Sequence, residues 1–168
     1  MTRLFLLRHA KAMPAEPGTR DFDRPLDAKG ILDAKALGGE MLARGLVPIK
    51  ILCSAALRTR QTLEHVVEIL PFESEIIYSD TLYNSEADGY LEEIMAHGDW
   101  ASLLVIGHNP ATEELSNILV SRHDKQSIRA LMRGFPTCGL AHFEFESTLP
   151  KLAWHTGTLT DFIVPSDL

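Results

Sequence analysis

Leu4-Phe5-Leu6-Leu7-Arg8-His9 opens the chain with an apolar run that ends on an arginine and a histidine, and Leu103-Leu104-Val105-Ile106-Gly107-His108 ends a second run on another histidine. Runs this short and continuously apolar predict strands buried on both faces, the kind found in parallel sheets. Between them, Ile49–Cys53 reads as a third buried strand, followed directly by Ser54-Ala55-Ala56-Leu57-Arg58-Thr59-Arg60-Gln61-Thr62. Each of these strands is followed by a helical pattern, so the fold class is α/β: three layers, helices on both faces of a mostly parallel central sheet, with an antiparallel C-terminal strand.

The remaining elements follow from the same periodicities. Residues 12–26 carry Pro, Gly and charge and predict a long loop. A helix is expected from Asp27 to Arg44, with Leu32, Ala36, Leu37 and Met41 on its apolar face and Gly45 as its stop. Ser54 is expected to cap a helix running to Leu70, before Pro71. Ile76–Tyr78 reads as a short strand, and Ser85 as the cap of a helix to His97. Leu103–Gly107, the most apolar run, is expected at the sheet centre. Asn109-Pro110 predicts an N-cap and first helical residue for a helix to Val120. Residues 121–138 look irregular and basic, a candidate border of a partner surface together with Leu46-Val47. Leu140–Phe145 and Leu152–Thr158 alternate and predict a closing antiparallel pair.

At 168 residues the chain suits a single domain, 1–168, burying roughly 70% of its unfolded surface. Cys53 and Cys138 match no metal spacing, and Cys53 is expected in the core. Four apolar residues before Arg8 are too few for a secretory signal, and no run approaches a membrane span, so a cytoplasmic location is expected. The net charge of −7 argues against nucleic-acid binding. Arginines nevertheless gather at the strand ends, which suits a small anion.

Open α/β sheets bind ligands at the carboxyl ends of their strands, where His9 and His108 are expected. A neutral imidazole can attack phosphorus once a backbone carbonyl accepts from its other nitrogen. Arg8 offers a planar fork matched to phosphate oxygens, and Arg58, near a helix start, leans back toward the strand end. Arg60 falls on another face and is expected to be solvated. His65, His97, His123, His142 and His155 share no spacing and read as structural or exposed, and Trp100 and Trp154 as packing residues.

Leu7-Arg8-His9-Ala10 resembles the Arg-His-Gly signature of the histidine phosphatase superfamily, with its phosphoglycerate-mutase-like fold; Ala10 stands where glycine is usual. Ser54–Thr62 is similar to that family's second arginine motif, and Gly107-His108 to its second histidine. Arg8-His9-Ala10-Lys11, Asp23-Arg24-Pro25-Leu26 and Gly107-His108-Asn109-Pro110 look most like the SixA-type phosphohistidine phosphatases. The resemblance implies that His9 accepts the phosphoryl group, that Arg8, Arg58 and His108 clamp it, and that Arg24 on the long loop adds a contact. It implies Glu86 as the candidate general acid, although Ser85-Glu86-Ala87-Asp88 also reads as an ordinary helix cap. The implied substrate is a protein phosphohistidine, with a small phosphate ester as the alternative, and no metal or other cofactor is expected. Nothing in the sequence specifies an oligomeric state, and a monomer is compatible with it. Two other functions compete: a magnesium-dependent aspartyl phosphatase built on Asp21 and Asp23, and a silent phosphoprotein-binding module.

Overall fold

The computed structural model of the chain describes residues 1–71, 73 and 75–168. Six strands form one sheet: β1 (Thr2–Arg8), β2 (Lys50–Ser54), β3 (Ile76–Ser79), β4 (Ser102–Gly107), β5 (Leu140–Phe145) and β6 (Thr158–Ile163), in the order β3-β2-β4-β1-β5-β6. The first four are mutually parallel; β5 is antiparallel to both β1 and β6. The expected α/β class with a mostly parallel sheet is therefore what forms.

The sheet is apolar on both faces because each face carries its own helices. Phe5 and Leu7 of β1, with Ile51, Cys53, Leu104 and Ile106, pack beneath α1 (Ala28–Ala43) and α2 (Leu57–Val67). Leu4 and Leu6, with Leu52, Leu103 and Val105, pack beneath α4 (Ala87–His97) and α5 (Ala111–Leu119). Strand residues i and i+1 thus serve opposite cores, as the pleat requires. β4 and β1 lie at the centre of the sheet, as the apolarity of residues 103–107 foretold. Among the described residues no helix is long and apolar enough to cross a membrane.

Several local expectations are corrected. The buried stripe of α1 is Gly30, Ala34, Leu37, Gly38 and Met41, while Leu32 is 68% exposed and Ala36 also faces solvent. A Cβ on Gly30 would meet the Lys11 backbone, and one on Gly38 the Val66 backbone of α2, so the stripe is built on close approach rather than on bulk. A reading that weighs large apolar residues overlooks it. Ile49 precedes β2 and Ser54 is its last residue; α2 begins at Leu57 with Ala56 at the N-cap, so Ser54 does not cap it.

A short helix α3 (Thr81–Asn84) precedes α4, Ser85 closes α3, and Glu86 rather than Ser85 occupies the α4 N-cap. Pro110, not Asn109, stands at the N-cap of α5. The 121–138 stretch contains α6 (Lys125–Leu131), whose first turn is capped by the Asp124 carboxylate accepting from the Ser127 N–H. The closing strand is Thr158–Ile163; Leu149–Lys151 forms a 3-10 turn, and 152–157 connects the two.

Candidate active site

Sheet register assembles the centre. Arg8 of β1 lies opposite Gly107 of β4, and the His9 N–H donates to the Gly107 carbonyl at 3.0 Å, so the two histidines leave adjacent strands side by side. Their ring centroids are 5.3 Å apart. β2 pairs on the other side of β4 with Cys53 opposite Ile106, which brings Ser54 beside His108. Ser54 Oγ and His108 Nε2 are 2.8 Å apart and buried. The serine expected to cap a helix instead orients a histidine.

His9 Nδ1 lies 2.7 Å from the Ala10 carbonyl. A carbonyl only accepts, so Nδ1 carries the proton and Nε2 keeps its lone pair. Burial pushes the His9 pKa down to about 4, the Ala10 carbonyl resists, and Arg58, Arg8 and Arg24 repel the imidazolium further. His108 is pushed to about 3, first by burial, then by His9 and Arg58. Both rings are therefore neutral near pH 7. Ser54 Oγ accepts from the Ala56 N–H and is free to donate its own proton to His108 Nε2, the arrangement in which that nitrogen is the acceptor. In that arrangement His108 Nδ1 carries the ring's proton, and it is buried without a partner.

Backbone support behind this pair is dense. Cys138 adopts a left-handed conformation with φ 59°, and its N–H lies within reach of the carbonyls of both Arg8 (3.1 Å) and His9 (3.0 Å). Such a conformation costs a non-glycine residue about 1 kcal/mol or more, and persists where neighbours enforce it. Ala10 is fully buried, its N–H donates to Thr62 Oγ1, and its φ is not positive, so the glycine usual there is not required. Tyr90 Oη donates to the Leu82 carbonyl and accepts from the His108 N–H. A Cβ on Gly107 would strike that ring, so glycine is the residue that lets Tyr90 reach the turn.

Arg58 lies within the first turn of α2 and is 7% exposed. Its Nη1 donates to the Asp21 carbonyl at 2.8 Å and its Nη2 to Asp21 Oδ2 at 3.1 Å, while Nε is buried and unpartnered. Arg8 Nη1 donates to the Phe135 carbonyl at 2.8 Å, and its Nε is likewise buried and unpartnered. Unpaired buried donors are costly and rare. Arg8 Nε, Arg58 Nε and His108 Nδ1, three such atoms on three neighbouring side chains, describe a cradle for an oxyanion.

Arg24 reaches the site through Asp21. Its Nη1 donates to Asp21 Oδ1 at 2.9 Å and its Nε to the Met13 carbonyl. Asp21 also accepts from Tyr83 Oη at 3.0 Å, and these donors, Arg24 first, hold its pKa down to about 2. Tyr83 in turn packs edge-on to His108, with centroids 5.7 Å apart. Asp21, Tyr83 and Tyr90 are organising residues that sequence reasoning missed. The sequence presents Asp21 only as half of an aspartate pair, and its one further signal is its place three residues before Arg24. Glu86 is exposed, and its side chain caps nothing and forms no hydrogen bond or ion pair among the described residues.

Residues 4–84 match the histidine phosphatase superfamily, branch 1. The chain superimposes on a candidate phosphohistidine phosphatase SixA from Agrobacterium tumefaciens with a TM-score of 0.82, at 36% identity and 98% coverage of both chains. The chain belongs to the histidine phosphatase superfamily. A second candidate SixA, from Nakamurella multipartita, gives a TM-score of 0.83 at 31% identity, covering 98% of this chain and 96% of that one. An uncharacterised protein of Mycobacterium tuberculosis is 36% identical over 138 residues, 80% of this chain and 84% of its own length. This superfamily member is thus of SixA type, a phosphatase with the phosphoglycerate-mutase-like fold.

Proposed function

We propose that this chain hydrolyses protein phosphohistidine through a phosphoryl group carried on His9. The observation that supports it best is the neutral, Nδ1-protonated His9 set beside Arg8, Arg58 and His108, each of which keeps a buried nitrogen without a partner. In the first step the Nε2 lone pair forms a bond to phosphorus while the bond to the substrate's imidazole nitrogen breaks. That ring, protonated on its other nitrogen, takes the bonding pair and leaves neutral. Water then attacks phosphorus from the far side, the bond to His9 breaks, and inorganic phosphate departs with His9 restored.

Charge on the transferring group is met by Arg8, Arg58 and the His108 N–H, with Arg24 entering through Asp21. Phosphoryl transfer asks mainly for positioning and charge stabilisation, so these groups take the part a metal plays elsewhere. The surroundings favour a leaving group that needs no acid. Asp21 stays ionised down to about pH 2, and the exposed Glu86 carboxylate makes no hydrogen bond or ion pair with the site side chains among the described residues. The same reading takes residues 1–168 as one phosphatase domain on one sheet, acting without a cofactor.

The test is to trap the intermediate. Rapid alkaline quenching after addition of a phosphohistidine peptide should leave an acid-labile phosphoryl group, and peptide mapping should place it on His9. Turnover should survive excess EDTA, and His9→Ala should fold normally yet neither label nor turn over. A label on Asp21 or Asp23, or no label with full activity, would overturn the reading.

A further inference from the structure

The cations of this acidic chain are unevenly used. Of the twelve lysines and arginines outside residues 122–133, eight hold a carboxylate. Arg122, Lys125, Arg129 and Arg133 are all exposed, and none forms an ion pair among the described residues. Asp124, the single acid among them, spends its carboxylate on the Ser127 N–H. Lys125 and Arg129 are one helical turn apart in α6, and with Arg133, just beyond the helix, they line one shallow concavity, so these charges form a stripe. Met132 beside them is 78% exposed.

This stripe adjoins the active site. One cavity of about 820 Å³ is lined both by Ala130 and Arg133 of this segment and by Arg8 and Asn109 of the site. The loop after α6 is tied to the chemistry directly, since the Phe135 carbonyl accepts from Arg8 Nη1 and from Asn109 Nδ2. A macromolecule presenting a phosphoryl group to His9 beside this cavity would bring its flanking surface over α6.

We propose that the stripe of Lys125, Arg129 and Arg133 along and just past α6, with Arg122 shortly before it, is the docking surface for the acidic face of the phosphorylated protein whose phosphoryl group enters the site. This rests on the protein substrate proposed above. Unspent positive charge in a chain of net charge −7 selects an acidic protein over a nucleic acid, whose long phosphate backbone would meet repulsion elsewhere on the body. Charges of this kind act chiefly on encounter rate and partner choice, and their effect fades with salt.

Two peptides with a central histidine, one flanked by glutamates and the other by glutamines, test it by fluorescence anisotropy. At low salt the glutamate peptide should bind the intact protein about tenfold more tightly than the glutamine peptide, and added salt should erase the difference. Lys125→Glu with Arg129→Glu should abolish the preference and leave p-nitrophenyl phosphate turnover unchanged. With the histidine phosphorylated, kcat/KM should follow the same order. Equal binding of the two peptides, or a preference that survives the double variant, overturns the proposal. So does an oligonucleotide of equal charge displacing the glutamate peptide. A preserved preference without phosphohistidine turnover would instead sink the substrate reading and leave the docking surface standing.

Discussion

The nucleophile's own titration can be read directly from rate against pH. An unperturbed histidine, with a pKa near 6.5, would be only about 3% neutral at pH 5. With the His9 pKa at about 4, roughly nine-tenths of the enzyme is still competent there. The two cases differ about 30-fold in kcat/KM at pH 5, relative to the plateau near pH 7.5. The shift is toward acid because burial disfavours the imidazolium and three arginines repel it, so the acid limb moves down rather than up. Because kcat/KM reports the free enzyme, a bound phosphate dianion does not distort the value. The assay is kcat/KM for p-nitrophenyl phosphate from pH 4 to 8 at constant ionic strength, corrected for the substrate's second ionisation. An acid limb centred between pH 6 and 7 would refute the reasoning, since His9 would then be solvated or paired with a carboxylate.

Stability should fall over the same window. The unfolded chain binds protons on His9 and His108 below about pH 6.5 while the folded one resists until about 4 and 3, so stability rises with pH across it. Each histidine should cost roughly 2 kcal/mol at pH 5 relative to pH 7.5, read from urea midpoints; a combined change under about 1 kcal/mol would contradict the burial of both rings. Asp21→Asn removes the acceptor charge that docks Arg58 and Arg24, and should lower kcat/KM about tenfold while costing only about 1 kcal/mol of stability, because the carboxylate is half exposed. Unchanged kinetics would mean that Arg58 needs no anchor. Arg58→Ala and His108→Ala should each lose about 100-fold or more in turnover, as expected on losing one preorganised donor; wild-type rates for either would move the pocket elsewhere. Tyr90→Phe strands the buried Leu82 carbonyl and His108 N–H, so about 1–3 kcal/mol of stability should go, measured by denaturation, with kcat reduced alongside. A fully stable, fully active variant would show that water replaces the hydroxyl.

Much of this molecule was legible along the chain. The apolar runs ending in Arg8-His9 and Gly107-His108 specify buried parallel strands, because only a sheet covered on both faces wants unbroken apolarity, and His9, Arg8, Arg58 and His108 all come together at one sheet edge. What periodicity missed were features resting on small residues or on partners far along the chain. The α1 stripe is carried by Gly30 and Gly38, which add no hydrophobic signal, and α6 is too short and polar to announce itself. Ser54 shows the limit most plainly. Local propensity assigns it to a helix cap, yet the register of β2 against β4 gives its hydroxyl a buried imidazole fifty-four residues away. Asp21 likewise gathers Arg24, Arg58 and Tyr83 only once the chain has folded. Residue type and strand-end position determined which groups could do the chemistry; burial and long-range hydrogen bonds, which no local window contains, decided their protonation and aim.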